Sequence, residues 1–119
     1  MTKYFFDTYA LVALAKSNPN YVKYSDEIVV TSIYNLVELY YIILKNFKEE
    51  KAKMIYRNLK DCITDVKDEV IFEAMNLKLK NKKLSYVDCV GYIHSLKNNL
   101  LFLTGDREFK NMPKVEFVP

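Results

Sequence analysis

Cysteine, histidine, glycine and proline are all scarce: the 119 residues hold two cysteines, one histidine, two glycines and three prolines. Cys62 and Cys89 match neither a paired-cysteine redox motif nor a zinc knuckle, and they read as free buried thiols suited to a reducing cytosol. With His94 as the lone imidazole, structural zinc lacks sulfur and nitrogen ligands, so any metal chemistry has to use oxygen. Gly91, Gly105, Pro19, Pro113 and Pro119 are too few to build a linker, and no repeat or low-complexity stretch divides the chain. Long hydrophobic runs are missing as well. Met1 to Phe6 has no signal-peptide core, and Ile33 to Leu44 is broken by Asn35 and Glu38, well short of the roughly 20 residues that span a bilayer. The expectation is a cytoplasmic chain with no membrane segment, in which Ile33 to Leu44 is a buried helix.

What is present suffices for one core. A 50% hydrophobic chain of this length predicts a single domain over residues 1–119. Eighteen basic against 15 acidic residues leave a net charge of +3, a weak bias toward a polyanionic partner. Tyr4-Phe5-Phe6 reads as a strand, followed by a helix from about Thr8 to Lys16 and a turn over residues 17–20. Ile28 to Val30 reads as a second strand, and Thr31 or Ser32 caps a helix running to about Asn46. Helices over about Glu49 to Lys60, Asp68 to Asn81 and Ser85 to Lys97 follow, with a weak strand at Cys62 to Val66. Asn98-Asn99 turns into a strand at Leu100 to Leu103, and Val115 to Val118 supplies the last. This alternation predicts an α/β fold, a three-layer α/β/α sandwich around a mainly parallel sheet of about four or five strands. Any site belongs at the carboxyl ends of those strands.

Four acids stand out against that frame. Asp7 follows the first strand directly, and Asp106 follows Leu100-Leu101-Phe102-Leu103 by a Thr-Gly step. Glu38 is the only charge between Thr31 and Leu44, and Asp88 the only formal charge between Leu84 and Leu96. An isolated buried carboxylate costs several kcal/mol or takes up a proton, so acids on apolar helices need a countercharge or a shared cation. No lysine or arginine lies in either run, and magnesium or manganese would serve several carboxylates at once. Each acid also has a structural reading. Asp7 and Asp106 can cap the helices that follow, Asp88 forms a capping-box pattern with Ser85, and Glu38 can sit on a polar face.

The motifs Phe6-Asp7-Thr8 with Ala10-Leu11, Thr31-Ser32 through Glu38-Leu39, Leu84-Ser85-Tyr86-Val87-Asp88 and Leu103-Thr104-Gly105-Asp106-Arg107-Glu108-Phe109 span nearly the whole chain. In their order and spacing the chain resembles the PIN-domain family, and within it the VapC-type ribonuclease toxins of toxin-antitoxin pairs. Cys89, where such toxins more often have alanine, is a departure that removes no acid. The resemblance implies a Mg2+- or Mn2+-dependent endoribonuclease with one or two ions, in which Asp7, Glu38, Asp88 and Asp106 are the catalytic and metal-holding acids. Thr8 and Thr104 match hydroxyl positions of the site. Asn35, one turn before Glu38, either adds a polar group or serves the helix start. The resemblance also implies an RNA substrate, a small antitoxin that covers the acidic cleft, and a homodimer.

Outside the four acids, Lys80, Lys82, Lys83, Arg107 and Lys110 can track an RNA backbone and Tyr9 or Tyr86 can stack on bases, or they are solvated lysines and core tyrosines. Glu108 reads as a surface residue, His94 as a packing residue, and Asp61, Asp65, Asp68 and Glu69 as solvated charges at a helix boundary. Two other enzyme readings remain: a PIN nuclease of RNA or DNA processing, which normally carries extra domains, and a magnesium-dependent receiver or phosphatase. The latter lacks its second aspartate at Asp7-Thr8-Tyr9. A non-catalytic module that docks a protein is the remaining alternative.

Overall fold

A computed structural model describes residues 3–119. Met1 and Thr2, the start of the segment expected to lack an export signal, lie outside the described residues. The sheet has three parallel strands, β1 (Tyr4–Phe6), β2 (Leu101–Thr104) and β3 (Val115–Phe117), in the order β1-β2-β3. Tyr4 pairs with Leu101 and Phe6 with Leu103, while Phe102 pairs with Val115 and Thr104 with Phe117. The helices are α1 (Thr8–Ala15), α2 (Ile33–Asn46), α3 (Glu49–Leu59), α4 (Asp68–Lys80) and α5 (Tyr86–Lys97). Short 3-10 segments cover Pro19–Tyr24, Lys60–Cys62 and Arg107–Phe109.

Side chains alternate across a strand, so each strand serves two cores. Phe5 and Phe102 point to one face and pack with Val70 and Ala74 of α4 and Cys89, Val90 and Ile93 of α5. Phe6 and Leu103 point to the other and pack with Leu11 of α1, Leu36, Leu39 and Ile43 of α2 and Ala52 of α3. The layers are therefore α/β/α, as the alternation predicts. α5 comes unusually close to the sheet: a Cβ on Gly91 would lie 2.8 Å from a Phe5 ring carbon and 3.1 Å from one of Phe102, so only glycine fits without displacing the rings.

The sheet is smaller than the four or five strands expected. Residues 28–31 do run beside β1 and 62–64 beside Thr31, but they make only one isolated parallel bridge, Thr31 to Ile63, and Val30 accepts a single bond from the Phe6 N–H. β1 is only three residues long, and Thr31 turns at once into α2, with Ser32 as its N-cap. The apolar segment Ile28 to Val30 therefore reaches the edge of the sheet without room to extend a ladder.

Two further expectations change. Cys89 is buried but Cys62 only half-buried. α2 is not buried all round, since Tyr34, Val37, Tyr41 and Leu44 form an exposed apolar stripe at helical spacing. Among the described residues no helix is long and apolar enough to cross a membrane. Phe102 is fully buried, stacks on Phe5 at 5.9 Å and packs at a tilt against Phe109 at 4.6 Å. Phe102→Ala is therefore expected to destabilise the protein by about 3–5 kcal/mol, read as a lower urea midpoint with an unchanged slope.

Candidate active site

The carboxyl ends of β1 and β2 open into a cleft of about 1040 Å3. Asp7, Glu38, Asp88 and Asp106 all line it, each delivered by a different piece of chain. Asp7 ends β1 and is the N-cap of α1, its Oδ1 accepting from the Ala10 N–H at 2.8 Å. Asp106 follows β2 and starts a 3-10 turn, its Oδ1 accepting from the Glu108 N–H at 3.0 Å. Asp88 sits in the first turn of α5 in a capping box: Ser85 N–H donates to Asp88 Oδ2 at 3.2 Å and Asp88 N–H to Ser85 Oγ at 3.0 Å. Glu38, half-buried on α2, accepts from the Thr8 hydroxyl at 2.5 Å.

The structural readings of Asp7, Asp88 and Asp106 as caps are thus all realised, and capping does not remove these residues from the cleft. A carboxylate has two oxygens, and each cap commits one. Thr8 also lines the cleft, whereas Thr104 and Asn35 lie behind it. Thr104 is fully buried against Asp7, and its Oγ1 accepts from the Asp106 N–H at 3.0 Å, so one hydroxyl ties two acids together. Asn35 occupies the third position of α2, bonded to the Ser32 cap, and its Nδ2 donates to Thr8 Oγ1 at 3.1 Å. Gly105 is required by contact: a Cβ there would fall 2.1 Å from the Tyr9 ring and 2.5 Å from the Val118 carbonyl oxygen.

Asp7 is only 2% exposed, and its carboxyl is pushed from the ordinary 3.8 up to about 7. Burial is the main cause. The Thr104 and Ala10 hydrogen bonds oppose it, and the charges of Asp88 and Asp106 add to it. Burial likewise raises Asp88, against the pull of its Ser85 bonds and of Lys78. The donor set facing the cleft is therefore oxygen only and carries more negative charge than its surroundings neutralise, the chemistry that a hard divalent cation fits. In the present arrangement, among the described residues, no three His, Cys, Asp or Glu side chains are close enough together to hold a metal ion.

Of the rest of the cleft, sequence reasoning offered only Tyr9 and Arg107 as RNA contacts. Lys16 and Arg107 contribute positive charge, and Tyr9, Val12, Ala13, Val37, Tyr41 and Ile42 give an apolar wall between α1 and α2. Neither the outward stripe on α2, which reads as buried from the sequence, nor its partner wall on α1 was expected. Lys78 was also missed. Its Nζ donates to the carbonyls of Lys82 and Leu84 and lies 5.2 Å from the centre of the Tyr86 ring, which shapes the loop before Asp88. Lys80, Lys82, Lys83 and Lys110 are exposed and outside the cleft. His94 is buried on Phe5, away from the acids, with its pKa lowered by burial.

An α/β/α sandwich with acids gathered at the carboxyl ends of parallel strands defines a class of proteins, and the comparisons place the chain within it. The PIN domain family model matches residues 4–115, and the chain belongs to that family. Its fold is similar to that of VapC20 from Mycobacterium tuberculosis, described as a sarcin-ricin loop cleaving toxin, with a TM-score of 0.78 and 18% identity over 98% of this chain and 100% of that one. It is also similar to a chain of a toxin-antitoxin complex from Klebsiella pneumoniae (TM-score 0.75, 18% identity, 96% of each chain). A third similar structure is VapBC2 from Rickettsia felis bound to a DNA fragment from their promoter (TM-score 0.72, 20% identity, 98% and 97% covered). No curated protein matches the sequence.

The raised pKa of Asp7 gives stability a pH dependence. The unfolded chain releases this proton near pH 4, the folded chain near 7, so between those values the folded state binds more protons and stability falls as pH rises. Below pH 4 the penalty is absent, and above 7 it is complete, on the order of a few kcal/mol. Asp7→Asn keeps an acceptor for the Ala10 N–H. In chelator it should therefore be more stable than wild type at pH 8 and close to it at pH 4, as measured by urea unfolding at the two pH values.

Proposed function

We propose that the protein is a Mg2+- or Mn2+-dependent endoribonuclease, the toxin of a VapBC-type toxin-antitoxin pair, acting in the cytoplasm as a single-domain chain and homodimer. The observation that carries this reading is the convergence of Asp7, Glu38, Asp88 and Asp106 on one cleft from four separate elements. Asp7, Asp88 and Asp106 would hold one or two ions, with Glu38 beside them. A divalent cation bound there supplies the activation of water and the stabilisation of the leaving oxygen that phosphodiester hydrolysis needs. Glu38 would accept a proton from the attacking water, and Lys16 and Arg107 would meet the phosphates of an RNA strand. Thr104 holds Asp7 and Asp106 in register, cap bonds keep the Asp7, Asp88 and Asp106 carboxylates from turning away, and the Thr8 hydroxyl does the same for Glu38.

The apolar wall of α1 and α2 supports the partner half of the reading. Tyr9, Val37 and Tyr41 stay substantially exposed beside the acids, a surface that a small antitoxin could cover while a basic side chain enters the cleft. A second reading, a module that docks a protein without catalysis, is favoured by the commitment of each carboxylate to a local hydrogen bond and the absence of a ready three-ligand cluster among the described residues.

Cleavage of a labelled RNA pool in magnesium, manganese or chelator separates the two. The nuclease reading predicts metal-dependent cutting that falls by at least about 100-fold in Asp7→Asn and Asp88→Asn, together with a Mn2+-induced rise in melting temperature that Asp7→Asn diminishes. A folded wild type that cuts nothing and melts at the same temperature with and without Mn2+ would leave the docking module.

A further inference from the structure

We propose that Ser32 is a positioning residue for Glu38, acting through Asn35 and Thr8 as a hydrogen-bond chain with a fixed direction. The inference rests on the nuclease reading for its consequence, while the chain itself is a matter of geometry. Ser32 is fully buried at the start of α2. Its Oγ accepts from the Asn35 backbone N–H at 3.3 Å, and its hydroxyl donates to Asn35 Oδ1 at 2.6 Å. This turns the Asn35 amide so that Nδ2 donates to Thr8 Oγ1 at 3.1 Å. A threonine hydroxyl has one proton. With its oxygen accepting from Asn35, that proton goes to Glu38 Oε1, 2.5 Å away.

The opposite amide orientation does not satisfy these contacts. It would present Asn35 Oδ1 to Thr8, draw the Thr8 proton to Asn35, and leave the Thr8 and Glu38 oxygens in contact with no proton between them unless Glu38 were itself protonated. The donor at Ser32 therefore decides where the proton at Thr8, two hydrogen bonds away, points. Capping α2 needs only the Ser32 oxygen and the backbone N–H of residue 35, so it makes no demand on an asparagine side chain or on Thr8. What the side chains add is a donor held against one oxygen of Glu38, fixing that carboxylate as an acceptor and in one orientation at the edge of the cleft. Each member polarises the next, and partners of this kind that hold a ligand from behind carry tenfold to hundredfold effects when removed. Ser32 and Asn35, at 0% and 1% exposure, work out of contact with solvent, while Thr8 and Glu38 open onto the cleft.

Four variants test it. Ser32→Asp keeps a capping oxygen but, ionised, has no proton to give, so the Asn35 amide should turn and the Thr8 proton should leave Glu38. Ser32→Gly keeps an accepted N-cap residue while deleting the donor, and covers the case in which Ser32→Asp does not fold. Thr8→Val removes the last donor, and Thr8→Ser restores it. Each is measured for metal-free melting temperature, for Mn2+ affinity by calorimetry, and for kcat and KM on RNA.

The expected result is a tenfold or greater loss of Mn2+ affinity or kcat in Ser32→Gly and Thr8→Val, with KM for RNA within about twofold of wild type and recovery in Thr8→Ser. Folded Ser32→Gly or Thr8→Val with wild-type Mn2+ affinity and kcat overturns the proposal. If wild type binds Mn2+ yet cuts no RNA, the nuclease reading falls and the Mn2+ titrations alone decide: weaker binding in both variants upholds the chain, and equal binding overturns it. Wild type that binds no Mn2+ overturns both.

Discussion

The burial of one carboxylate governs this structure. Asp7 ends β1 at 2% exposure, where water solvates it too little to favour its charge. Its neighbours supply part of what water would: the Ala10 N–H at the start of α1 and the hydroxyl of Thr104 on β2. These contacts link the end of one strand to the end of the next and to the first helix, so the geometry around Asp7 is also the geometry that joins the layers. The remaining excess of negative charge, with Asp88 and Asp106 nearby, gives the cleft its chemical character.

The scaffold around this point is economical in sheet and rich in helix. A purely parallel sheet needs cover on both faces, and three short strands provide it with two cores, one built on Phe5 and Phe102 and the other on Phe6 and Leu103. The close approach of α5 at Gly91 brings the helix that carries Asp88 down onto the sheet, and Gly105 lets the Tyr9 ring and the tail after β3 meet at the turn before Asp106. Tyr21 and Tyr24 fasten that tail by donating to the Val118 carbonyl and to Glu116, both at 2.7 Å. The acids are thus set on rigid supports, and their caps make each both a structural and a chemical group.

α2 is where these demands meet. Its inner face, Leu36, Leu39 and Ile43, belongs to the core, Asn35 and Glu38 look toward α1 through Thr8, and Tyr34, Val37, Tyr41 and Leu44 remain outside. A helix that is apolar on nearly every side except one reads as buried when only its composition is considered. Solvent exposure of that outer stripe follows from the absence, among the described residues, of any element packed over it, and residue order along the helix carries no trace of that.

The sequence alone determined much of the architecture and the identity of the acids. Strand and helix periods are local properties, so the alternation, the turns near Ser17 and Asn99, and most helix ends were legible, as were four carboxylates placed where apolar surroundings make charge costly. Two things were decided by tertiary structure. One is the size of the sheet: Ile28 to Val30 has the composition of a strand, but pairing depends on how much edge a three-residue neighbour offers. The other is the company each acid keeps. That Thr104 lies against Asp7, that Asn35 reaches Thr8 and that Val12 faces Tyr41's side of the cleft depend on contacts between residues far apart in the chain, which periodicity cannot encode.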